Sequence, residues 1–322
     1  MFNNLRRYIN QNRGKLLIII GIIVVVILII RVANDLVAQD SERVNNSGNE
    51  IISQEGSTSP NVLHTESIIS GDRLSEETAT ENQELIRNFI DACNDGNVDL
   101  AYSYLSSNCK EKMFSTVDEF RTKYYNPIFQ TKKQYNIENW ISNVEAYTYR
   151  VYYVDDILSS GTVTDNIEDY ITVVDENYEK KLNIFGYIFN EEINITEEND
   201  VAQIEVIDKD TYDDYEIYNI RATNKSENTI MLNRYEDNDK IYVSYQGMSS
   251  NYGAFITEIY EQNLILQGGQ TKYLSIKINK IYNGLTNPNK LVFSDIINNK
   301  EIFDQVSDKT GYSDISTLEI NI

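Results

Sequence analysis

The repeat distance of apolar side chains changes once along this chain, and that change limits the fold more than any single motif does. In "ENQELIRNFIDACNDGN", Leu85, Ile86, Phe89, Ile90 and Cys93 recur at helical spacing, which gives one helix with one buried face and places Gly96 at its C-terminal end. A short second helix carries Leu100, Ala101, Tyr104 and Leu105. Thr116 and Glu119 have capping-box spacing, so a third helix begins there and is expected to stop before Pro127. After that the period is two. "YTYRVYYV" sets Tyr147, Tyr149, Val151 and Tyr153 on one face, "DYITVVDEN" alternates likewise, and "KLNIFGYIF" groups Leu182, Ile184 and Ile188. Helices followed by strands imply an α+β layer in which helices close over an antiparallel sheet.

Beyond Asp200 helical spacing is almost absent. Short alternating runs recur, "AQIEVID", "EIYNIRATN", "TIMLN", "KIYVSYQG", "KYLSIKIN", "KLVFSDII" and "TLEINI", separated by turn clusters such as "NKSEN" and "QGGQ". That strand count over residues 199–322 suggests an all-β sandwich with Leu274, Ile276 and Ile278 inward and Tyr273, Ser275 and Lys277 outward.

The amino-terminal part is of another kind. Leu16 to Ile30 is apolar throughout except for Gly21. At 1.5 Å per residue this run gives roughly 22 Å of helix, short of a hydrocarbon core of roughly 30 Å, and Val32, Ala33, Leu36, Val37 and Ala38 lengthen it to a transmembrane anchor over 16–38. Arg6, Arg7, Arg13 and Lys15 precede it with no acid among them. Residues 1–15 are therefore expected in the cytoplasm as a basic tail, with everything after Ala38 extracytoplasmic at a cell membrane. A cleavable signal peptide is the competing reading, but a cleavage site wants small residues at −3 and −1, and neither Leu36 with Ala38 before Gln39 nor Arg31 with Ala33 before Asn34 fits well. From 39 to 80 Ser, Thr, Asn, Glu and Gly dominate without period, as in a flexible linker. The only histidine, His64, falls there and reads as a solvated loop residue, which leaves the domains without the commonest general base.

The segment "FIDACNDGNVDLAYSYLSSNCKEKMFSTVDEF", with the aromatic strands and "KLNIFGYIF" after it, resembles an NTF2-like domain of the kind found in extracytoplasmic parts of bacterial membrane proteins, over about 81–198. The resemblance implies a cone whose hollow holds a ligand, a catalytic pair or only side chains. Residues 199–322 look like an immunoglobulin-like surface module, without its Cys-Trp-Cys hallmark, since Cys93, Cys109 and Trp140 all lie earlier. The fold class expected is thus multidomain: one transmembrane helix, an NTF2-like α+β cone and an immunoglobulin-like sandwich.

Few residues suggest chemistry. Cys93 continues an apolar stripe, and an intervening helix separates it from Cys109, so buried thiols are favoured over a bridge. Asp208, Asp210, Asp213 and Asp214, and separately Glu236, Asp237 and Asp239, supply hard oxygen atoms for Ca²⁺, but without EF-hand spacing they read as solvated acidic turns. Tyr135, Trp140, Tyr149, Tyr153, Tyr170, Tyr178 and Tyr187 either line a cavity or pack in the core. Asn45, Asn194 and Asn224 open Asn-x-Ser/Thr triplets of the kind chance produces in an Asn-rich chain. No phosphate loop, serine elbow or His-Glu metal pattern occurs. No catalytic residue, metal or cofactor is therefore assigned.

The formal charge of −22 argues against nucleic-acid binding, because the chain would be repelled by phosphates. The expectation is a non-catalytic, membrane-anchored interaction or scaffold protein whose partners are other envelope proteins or cell-wall polymers. The alternatives are a receptor for a small or wall-derived ligand held in the cone, and an enzyme using Asp and Tyr for acid–base chemistry. One buried carboxyl facing a tyrosine would favour the last.

Overall fold

A computed structural model of the protein describes residues 63–142, 146–155, 167–234, 240–245, 252–253, 264–280, 282–284 and 287–322. The chain divides into units 1–59 and 60–322, and all described residues lie in the second.

Helix α1, Glu76–Asn94, starts inside the stretch expected as linker. Ser75 caps it, its hydroxyl accepting from the Thr78 amide at 3.0 Å. The residues just before are also ordered into the fold. Leu74 N donates to Thr65 O at 2.8 Å, and Ile68 N and Ile69 N donate to the carbonyls of Asn139 and Trp140 at 3.0 Å each. Ile86, Phe89, Ile90 and Cys93 form the buried face of α1, while Glu77, Glu81, Glu84 and Asp91 are exposed on the other. Gly96, at φ +75°, follows the helix and donates to Cys93 O.

Helices α2 (Val98–Ser103) and α3 (Ser107–Met113) are capped by Asn97 and Ser106. Helix α4, Val117–Phe120, is capped by Thr116. It does not stop ahead of Pro127 as expected: a widened π turn, Arg121–Tyr125, leads into α5, Asn126–Ile128. Pro127 lacks the N–H that would carry the π turn on, and the helical bonding resumes with Phe129 N donating to Tyr125 O at 2.7 Å.

Four strands follow as an antiparallel meander: β1 (Lys133–Ser142), β2 (Tyr147–Asp155), β3 (Ile167–Glu176) and β4 (Glu179–Asn183). Tyr149, Val151, Tyr153, Ile171 and Val173 point from this first sheet into a core shared with α1 and the aromatic rings of Phe114, Phe120 and Tyr124. Each such side chain contributes about 1.5–3 kcal/mol on burial.

The second sheet runs β12-β7-β6-β5, comprising β5 (Tyr187–Glu198), β6 (Ala202–Tyr212), β7 (Tyr215–Asn224) and β12 (Thr271–Asn279). The third holds β8 (Ile230–Met231), β9 (Ile241–Ser244), β10 (Tyr252–Gly253), β11 (Ile265–Leu266), β13 (Lys290–Ile297) and β14 (Ile315–Asn321) around central β13. Sheets two and three share a core in which Ile204, Val206, Ile220, Ile276 and Ile278 meet Ile241, Val243, Leu291, Phe293 and Ile320. A last short helix, α6, Lys300–Gln305, buries Phe303.

These observations correct the expected fold class. Among the described residues the chain is mostly β-sheet with few helices, and no helix is long and apolar enough to cross a membrane. The longest, α1, is charged along its exposed face, which suits one buried side and not a lipid environment. The anchor expected over 16–38 lies outside the described residues, so the transmembrane helix, the signal anchor and the single-pass, amino-end-cytoplasmic location are left without a spanning helix to rest on. Strand β5, read from the sequence as the close of an NTF2-like cone, pairs with β6 in the second sheet. The boundary placed at 198–199 thus falls in the turn of a hairpin.

Candidate functional site

Alternation along the first sheet sorts its aromatic residues onto two faces. Tyr149 and Tyr153, together with Tyr187 from β5, point inward and are at most 1 % exposed, filling the interior where a cavity was one expectation. Tyr178 stands fully exposed in the β3–β4 turn, at φ +68°. Tyr135 is half-buried, and burial followed by the Asp91 charge pushes its hydroxyl up to about 12.

On the outward face Arg150 is the centre of a cluster. It sits opposite Glu138 on β1 and Tyr170 on β3. Its Nε and Nη2 both donate to Glu138 Oε2, at 3.1 and 2.6 Å. The guanidinium lies 4.3 Å from the Trp140 ring centre and 4.9 Å from that of Tyr152. Tyr170 meets Trp140 edge-on at 5.7 Å and donates to Glu168 at 2.6 Å. Trp140, Arg150, Tyr152 and Tyr170 are all half-buried. Beside them the exposed Ile68 and Ile69 are pinned to the β1 edge by the backbone bonds to Asn139 and Trp140.

The inward face carries a group that sequence reasoning missed. Asp169, buried on β3, accepts from the Tyr124 hydroxyl at 2.8 Å, and Tyr124 Oη is 3.2 Å from Tyr153 Oη. Burial drives the Asp169 carboxyl up to about 7, against the hydrogen bonds from Tyr124 and from the backbone of Tyr170 and Phe185. The same burial, with the Asp169 charge next, holds the Tyr124 and Tyr153 hydroxyls far above their ordinary range. A sequence signal existed: Asp169 shares parity with Ile171 and Val173, so an inward-facing strand had to carry it inside.

The acidic run does not form a metal cage. Asp208 and Asp210 accept from Asn190 and Asn219 at 2.7–3.0 Å, and Lys112 lies 2.9 Å from Asp210 and 3.7 Å from Asp208. Asp213 and Asp214 occupy the β6–β7 turn, away from that network's strand positions, and Glu236, Asp237 and Asp239 lie outside the described residues. Among the described residues no cluster of three or more His, Cys, Asp or Glu is arranged to hold a metal.

Cys93 and Cys109 are free, buried thiols. Burial pushes the Cys109 thiol up to about 12 and that of Cys93 in the same direction, so neither has thiolate character. His64 is half-buried, with its carbonyl accepting from Gln83 Nε2 at 3.2 Å. Asn224 is buried and donates to the carbonyls of Asn228, Leu266 and Gln267, which makes it a structural residue.

A hollow of about 270 Å³ is bordered by Ser106, Asp175, Glu176, Asn183, Phe189 and Asn190. Much of its polar lining is spent internally. Ser106 bonds Asn183, Asn183 donates to Ile188 O, and Glu176 accepts from Ser107 N.

Against known proteins, the chain matches no family model, no curated protein and no solved structure.

Proposed function

We propose that residues 63–322 act as a non-catalytic interaction module, with the Trp140–Arg150–Tyr152–Tyr170 cluster and the neighbouring Ile68 and Ile69 as the contact surface for a protein partner. The observation that carries this is Arg150, held by Glu138 between two aromatic rings on the outward face of the first sheet. Trp, Tyr and Arg are the side chains that dominate binding energy at protein interfaces, and here their conformations are set before any partner arrives. The filled interior supports this reading over a receptor whose ligand sits inside the sheet. The net negative charge keeps nucleic acid from being the partner.

Acid–base catalysis has one observation in its favour, the Asp169–Tyr124 pair. Its carboxyl oxygens already take hydrogen bonds from Tyr124 and from the Tyr170 and Phe185 backbone, leaving a substrate little to approach. The interaction reading therefore leads.

The test is crosslinking of the full chain in its native cells, comparing wild type with Arg150→Glu and Tyr152→Ala. Loss of a specific crosslinked partner by about tenfold or more, with unchanged melting temperature, is the expected result. Equal capture by all three proteins would overturn the assignment.

A further inference from the structure

Asp169 belongs to a second arrangement, on the inward face of the first sheet. The turn Phe185–Gly186 links β4 to β5, and both residues have positive φ, +62° and +74°. For a phenylalanine this backbone is strained. Its ring is half exposed and lies across Tyr124 at 6.0 Å and Phe114 at 6.4 Å.

Two carboxyls flank the turn. On one side Asp169 accepts from the Phe185 backbone. On the other, Asp213 N donates to Gly186 O at 2.9 Å, and the Asp213 carboxyl packs so closely on Gly186 that a Cβ there would collide with it. Gly186 N in turn donates to Tyr170 O at 3.3 Å. The turn is the place where the first sheet, through β3, meets the β6–β7 hairpin of the second.

We propose that Asp169 and Asp213 form a proton-operated joint across the Phe185–Gly186 turn, closed while the carboxyls share out few negative charges and loosened when both are ionised. The groups that face Asp169 are the Tyr124 hydroxyl from the π turn, Tyr153 from β2, the Cys109 thiol from α3 and Asp213 itself. Cys93 of α1 faces the two tyrosines. Asp213 is faced by Asp214, by Glu168 and by the Tyr170 hydroxyl of β3, as well as by Asp169. Burial raises both carboxyls, Asp169 to about 7 and Asp213 to about 6, and each neighbouring acid adds to the effect. Ionisation near neutral pH thus places two like charges on either side of a strained turn, with hydroxyls and thiols around them that stay neutral.

The joint is tested on the full chain by amide hydrogen exchange, read as protection factors so that the intrinsic pH dependence cancels. The protection of Gly186 and Asp213 is expected to fall about tenfold or more between about pH 5 and about pH 8, while amides in the middle of β13 change little. Trp140, the single tryptophan, touches Tyr170 and gives a parallel fluorescence signal. In Asp213→Asn, and separately in Asp169→Asn, the local fall should shrink or vanish. Wild-type protection that is flat across this range, or an Asp213→Asn variant with the wild-type profile, would overturn the joint. Asp213 lies in a turn, so its variant reads the joint without altering the buried core around Asp169.

Discussion

The core beneath the helices holds Tyr124, Tyr149, Tyr153 and Tyr187 among Phe89, Phe114 and Phe120, with Asn82 and Asp169 buried beside them. The core between sheets two and three is mostly Ile, Val, Leu and Ala, with Phe293, Tyr218 and Tyr245 as its aromatic members among the described residues. Its aliphatic side chains need only shape and volume, and each such contact is forgiving in direction, while Tyr218 among them donates to the buried Glu216 at 2.9 Å. The aromatic core holds a bonded group of hydroxyls around a carboxyl, Tyr124 and Tyr153 with Asp169, so that part of it is fixed in geometry and sensitive to protons. Asp169 gives the first core a carboxyl that burial raises to about 7, so the first should be the more responsive to pH.

The difference is broken most severely by Phe293→Ala. Phe293 is wholly buried on the central strand of sheet three, and truncation is expected to cost about 3–5 kcal/mol at every pH, read by denaturant unfolding. An effect that changed strongly with pH would show the aliphatic core is not independent of titration.

Asp169→Asn sharpens it. The folded carboxyl titrates at about 7, above its unfolded value of about 3.9, so its contribution to stability is full below about pH 4 and is lost as pH rises toward 7. The variant should therefore melt close to wild type at about pH 4 and above it at about pH 8, by an amount on the order of a few kcal/mol. A difference of opposite sign would mean the carboxylate is paired and not stranded.

Two hydroxyl deletions provide the smallest and most diagnostic contrast. Tyr124→Phe removes the donor to Asp169 and should destabilise by about 1–3 kcal/mol. Tyr187→Phe removes a buried hydroxyl with no hydrogen-bond partner among the described residues, and should leave stability unchanged or raise it by up to about 1 kcal/mol. Equal losses from both would show that ring packing, and not hydrogen bonding, governs this core.

Local periodicity made the element faces readable. Ile86, Phe89, Ile90 and Cys93 form the buried side of α1, and Leu274, Ile276 and Ile278 face inward while Tyr273 is 71 % exposed. Long-range partners were not readable. "YIFNEEINITEE" alternates well with either neighbour, and nothing local states that β5 pairs with β6 and not with the first meander. Residues 63–74 looked like linker because backbone hydrogen bonds, which composition does not encode, hold them to β1. The Arg150 cluster was half visible, since Trp140 and Tyr170 stood out as aromatic residues but their shared outward parity with Arg150 went unused.

Strand β5 sends Tyr187 into the aromatic core, while its partner β6 sends Ile204 and Val206 into the aliphatic one. A single protease cut in the turn at 199–201 would consequently separate the chain in sequence but not in space. The two fragments would stay zipped together by the β5–β6 ladder and travel as one particle until a denaturant released them.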